Sequence, residues 1–120
     1  MGVQTSPLHT LQFVVHKNYA LLLLQLSFGV KGAQKTEALA HFRRALSVDP
    51  TDTGLWYQFG TLAWSLNQYN TAIWGFLRGM EMQAVTGLGK HQAFQCLEGL
   101  IQVIYSHGAR SERSFKADSL

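Results

Sequence analysis

The chain has 120 residues, room for one small domain. With 47% hydrophobic and 14% charged residues, it is too apolar for a disordered segment. The apolar stretch from Leu11 to Phe28 is broken by His16, Lys17 and Asn18, so it falls short of the ~20 residues that span a bilayer. The net charge of +3 has no basic stripe with interleaved aromatics behind it, so neither a membrane nor a direct nucleic-acid partner is expected.

In chain order, residues 1–9 read as a flexible N-terminus with Pro7 as a local breaker. Met1-Gly2 and Ser6 satisfy the short M-G-x-x-x-[ST] acylation pattern, which is common by chance. Leu11 to Leu26 is helix-compatible and forms the first predicted helix, with Ala20 small enough for close helix approach. Gly29 and Gly32 mark a long turn. The second helix is predicted from Lys35 to Val48, where Ala38, Phe42 and Ala45 share a face and Arg43 and Arg44 point elsewhere. Asp49-Pro50 stops it, because proline cannot continue the backbone ladder.

Thr51 or Asp52 is the N-cap of a third helix, Thr53 to Leu66, in which Trp56 is a bulky knob and Gly60 a hole. Asn67-Gln68-Tyr69 turns into a fourth helix, predicted from Tyr69 to Met82. Gly87-Leu88-Gly89 makes a longer connection. The fifth helix runs from Lys90 to Tyr105 with Phe94, Leu97, Leu100, Ile101 and Ile104 as its apolar stripe. The polar, aperiodic stretch 107–120 reads as a disordered tail.

A register links these helices. Ala38, Phe42, Ala45 and Pro50 recur 34 residues later as Ala72, Phe76, Gly79 and Ala84. Trp56-Tyr57-Gln58-Phe59-Gly60 between them resembles the opening of a tetratricopeptide repeat. The fold expected is therefore all-α: a tetratricopeptide-like solenoid of helical hairpins, about two and a half repeats over residues 10–106. Its packing positions are Ala38, Phe42, Ala45, Pro50, Trp56, Phe59, Gly60, Ala72, Phe76 and Gly79. The first repeat departs from the pattern: Ala20 and Ala38 are 18 positions apart, whereas Gly60 and Ala72 are 12 apart.

No catalytic or ligand-holding motif is present. The five histidines lack partners at i+3 or i+4, the carboxylates are dispersed, and no phosphate-cradling glycine loop or nucleophile elbow occurs. No enzyme activity, metal or cofactor is expected. Cys96 reads as a small core residue, and one thiol cannot make an internal disulfide. Tyr57, Thr61 and Trp64, at i, i+4 and i+7 of the third helix, are the candidate peptide-binding residues; large rigid rings lose little entropy on binding. A carboxylate clamp for acidic C-termini is disfavoured, since only Lys17 and Asn18 resemble one.

Three stretches carry a resemblance: Lys17-Asn18-Tyr19-Ala20, Asp49-Pro50-Thr51-Asp52-Thr53-Gly54-Leu55-Trp56-Tyr57-Gln58-Phe59-Gly60, and Cys96-Leu97-Glu98-Gly99-Leu100-Ile101-Gln102-Val103-Ile104-Tyr105. They resemble the calcineurin-binding protein cabin and its fungal counterparts in the histone-regulator (Hir) complex. That resemblance implies a nuclear scaffold in a HIRA-type histone chaperone, partnered by the chaperone's subunits and acting in replication-independent nucleosome assembly. The alternative is a generic repeat adaptor for an unrelated protein or peptide.

Overall fold

The computed structural model describes the backbone of residues 7–26 and 32–118 and the side chains of residues 7–25 and 34–106. Five helices occupy them: α1 (Pro7–Leu26), α2 (Gly32–Val48), α3 (Thr53–Ser65), α4 (Tyr69–Thr86) and α5 (Lys90–Asp118). There is no strand among the described residues. α1 packs on α2, α2 on α3, and α3, α4 and α5 all pack on one another.

Chemistry at the chain breaks explains most boundaries. Pro7 opens α1 instead of breaking it, so the helix starts ahead of the expected Leu11. Proline has no N–H to lose in a first turn, and its fixed φ suits the start of a helix. Met1 to Ser6 lie outside the described residues, as does the turn at Gly29, whereas Gly32 already belongs to α2. The helix α2 ends at Val48 ahead of Asp49-Pro50. Asp52, not Thr51, caps α3: its side chain accepts from the Leu55 N–H at 3.0 Å. Asn67 supplies the turn after α3 with φ at 61°, a conformation asparagine tolerates better than most residues. Gly87, at φ 72°, closes α4 in the left-handed region; that helix runs four residues past the expected Met82.

The end of α5 differs most from expectation. Its backbone is helical to Asp118, past the boundary expected near Tyr105. Lack of an apolar period does not forbid a helix. After Gly108 the run contains alanine, arginine, glutamate and lysine, all good helix formers, and no proline.

One apolar cluster runs through all five helices. Ala38, Phe42, Ala45, Trp56, Phe59, Gly60, Ala72, Phe76 and Gly79 are buried in it, and Pro50 is half-buried. Trp56 is only 3% exposed, and its Nε1 donates to the Pro50 carbonyl at 2.7 Å. The proline that stops α2 thus also satisfies the indole of α3. Close approach depends on small residues: a Cβ at Gly60 would stand 2.6 Å from Phe76 Cε1.

The α5 stripe is also revised. Cys96, Gly99, Leu100 and Val103 face inward, while Phe94, Leu97, Ile101 and Ile104 are exposed. The helix is apolar on more than one side, and periodicity alone does not say which side a neighbour covers.

Candidate interaction surface

Tyr57 and Thr61 share one groove. It holds about 280 Å³ and is bounded by Leu24 of α1, Lys35 of α2, and Gln58, Leu62 and Ser65 of α3. Tyr57 is positioned from below, its ring tilted at 39° against Phe76 with centroids 6.1 Å apart. Thr61 donates its hydroxyl to the Tyr57 carbonyl at 2.8 Å, one turn back along α3. That proton is therefore committed to the helix. The groove is mainly apolar, with the Lys35 ammonium and the Gln58 amide as its polar fittings. Such a surface suits a short peptide that buries an apolar side chain and hydrogen-bonds at its edge.

Trp64 does not join them. It is half-buried and lines a separate groove of about 420 Å³ with Ile101, Gln102, Tyr105 and Ser106 of α5. The expected triad is thus divided between two grooves, one bounded by α1 and α2 and the other by α5. Leu24, Lys35 and Ser65 were not singled out from the sequence. Their proximity depends on how α1 and α2 lie across α3, which no local spacing encodes.

Two charged features bear on what the surface can do. Lys17 pairs with Asp52 at 3.0 Å, which ties α1 to the cap of α3 and leaves that ammonium unavailable to clamp a carboxylate. His16 and His41, 25 residues apart, meet with their Nδ1 atoms 3.0 Å apart and their rings stacked. No i+3 or i+4 spacing announces this pair, because it joins α1 to α2. Tyr19 sets its edge on His41 and donates to Glu37 at 3.2 Å. Burial, with smaller contributions from Arg44 and His16, holds the His41 pKa below its ordinary 6.5, and Glu37 opposes them.

Cys96 is fully buried, and desolvation pushes its thiol up to about 11. At neutral pH it is a packed thiol, not a nucleophile. Among the described residues no three His, Cys, Asp or Glu side chains gather to hold a metal, and no helix is long and apolar enough to cross a membrane.

Residues 2–112 match the family model described as the CABIN1 N-terminal domain. The chain belongs to that family. Over 101 residues the chain is 29% identical to calcineurin-binding protein 1 of Arabidopsis thaliana, an alignment that covers 84% of this chain. It spans 5% of that relative's length. No solved structure matches it.

Proposed function

We propose that the protein is a non-catalytic scaffold working in the nucleus, within a HIRA-type histone chaperone that assembles nucleosomes independently of replication. The family match over residues 2–112 carries the reading. The histone chaperone context comes from the resemblance of the three sequence stretches to the cabin and Hir subunits. The packing supports a tetratricopeptide-like arrangement: residues 34 apart, Ala38 with Ala72, Phe42 with Phe76 and Ala45 with Gly79, are buried in equivalent pairs. The groove of Tyr57 and Thr61 is its docking surface for a protein partner.

Affinity purification of the tagged protein from nuclear extract tests the proposal. Recovery of the histone chaperone subunits is expected, with Tyr57→Ala reducing it and leaving the melting temperature within a few degrees of the parent. Their absence from the purified material, with the protein folded, would point instead to a generic adaptor for an unrelated peptide.

A further inference from the structure

A third groove, of about 350 Å³, lies along α2 and shares no lining residue with the Tyr57 groove. Arg43, Arg44, Thr36 and Ser47 of α2 line it, and Gln68 at the start of α4 closes it. Leu39 and Ala40 supply an apolar floor. No carboxylate lines this groove. The ion pairs among the described residues join Lys17 to Asp52 and Arg78 to Glu81, so neither Arg43 nor Arg44 is neutralised by one.

Arg43 is held in place without spending a donor. Its Cζ lies 5.8 Å from the ring centroids of both Phe59 and Trp74, a cation–π arrangement that leaves the guanidinium N–H groups for another acceptor. Gln68 makes no side-chain bond to the helix it precedes, so its amide is a further donor. Ser47 already donates to the Arg44 carbonyl at 2.7 Å, and its contribution is the oxygen alone.

We propose that this groove binds the phosphoryl group of a phosphorylated serine or threonine in a protein partner. The two guanidinium groups that line the groove balance the charge of about −1.5 to −2 that one phosphoryl group carries near pH 7. Their forked N–H groups match its oxygens. An extended acidic segment would need cations along its length, and no third cation lines the groove. The site uses residues outside the docking surface proposed above, so it stands or falls separately.

The test is a titration of the isotope-labelled 120-residue protein with acetyl-Gly-Gly-phosphoserine-Gly-Gly-amide, followed by amide chemical shifts. Three further titrants are the unmodified serine peptide, the glutamate peptide and inorganic phosphate. Saturable shifts centred on Arg43, Arg44, Ser47 and Gln68 are expected for the phosphopeptide, with the other three weaker. Arg44→Gln should weaken binding about tenfold or more, as expected for losing a charge-assisted hydrogen bond. Arg44 is exposed, so this variant keeps the fold, which circular dichroism checks. Arg43→Lys keeps the charge, removes the fork and should also weaken binding. Glutamate binding as tightly as phosphoserine would overturn the proposal in favour of an acidic-peptide site. Inorganic phosphate binding as tightly would show that no partner side chain is recognised. Shifts elsewhere, or affinity unchanged in Arg44→Gln, would remove the groove as the site.

Discussion

Phe76 is clamped between two glycines of different helices. A Cβ at Gly60 would lie 2.6 Å from its Cε1, and one at Gly99 would lie 2.6 Å from its Cζ. The ring is 1% exposed and has no open side to move into. Gly60→Ala and Gly99→Ala should therefore each destabilise the protein by about 1–3 kcal/mol through overpacking. Alanine's better helix propensity, worth up to about 1 kcal/mol, offsets part of this. Urea titrations give the answer, and midpoints unchanged or raised would mean the ring can shift at little cost. At Trp56 the loss is larger: Trp56→Ala should cost about 3–5 kcal/mol, since a buried aromatic leaves a cavity. Trp56→Phe keeps most of the volume and isolates the bond to Pro50, so its smaller cost measures that bond. A melt of Trp56→Ala matching the parent would show that the indole contributes little. The Gly60 hole was legible because it sits four residues after Trp56, within the stretch that resembles a repeat opening. Gly99 was not, because the 34-residue register does not reach α5 and its contact with Phe76 comes only from how α5 lies over α4.

At the scale of helices, the hairpin of α1 and α2 is joined by titratable groups. His41 is faced by His16 and Tyr19 from α1 and flanked by Glu37 and Arg44 on α2. Its folded pKa lies below 6.5, so the unfolded chain binds its proton more readily. Stability from the neutral ring is present above pH 6.5 and is lost as pH falls through the folded value. Thermal melts between pH 7.5 and 5 should show the parent losing melting temperature more steeply than His41→Gln. Parallel curves would mean that His41 protonation does not disfavour the fold. Asp52 serves the element scale twice, as cap of α3 and as partner of Lys17. Asp52→Ala should cost about 1–2 kcal/mol, whereas Asp52→Asn keeps a capping oxygen and loses only a partly exposed ion pair, worth about 0.2–1 kcal/mol. Equal losses in denaturant titrations would show that capping is not the larger share. A cap at Thr51 or Asp52 could be read from the residues before Trp56. The ion pair and the histidine pair could not, since each joins residues 25 or more positions apart across a turn of unfixed length.

Across the molecule, packing is uneven: α3, α4 and α5 meet one another, and α1 lies at the far side on α2. The radius of gyration is 16.2 Å, against about 14 Å for a compact domain of this length. Helix count and order were legible because apolar periods and breakers are local signals. The thickness of each seam was not, because it depends on which faces meet. The helix α3 touches α2, α4 and α5, whereas α1 touches only α2 among the described helices. An element packed on one neighbour opens more easily than one packed on several sides. Leu8, Leu11, Val14, Val15 and Leu22 of α1 are already exposed, so opening it forfeits less burial than opening α3. Native-state hydrogen exchange should find the amides of α3 and the adjoining face of α4 slowest, and those of α1 opening at markedly lower free energy. The ion pair of Lys17 adds a side-chain tether from α1 to Asp52, so Lys17→Met should hasten α1 exchange and leave α3 unchanged. Exchange equally slow in α1 and α3 would instead mean that all five helices open as one unit, with the α2–α3 seam as strong as the rest.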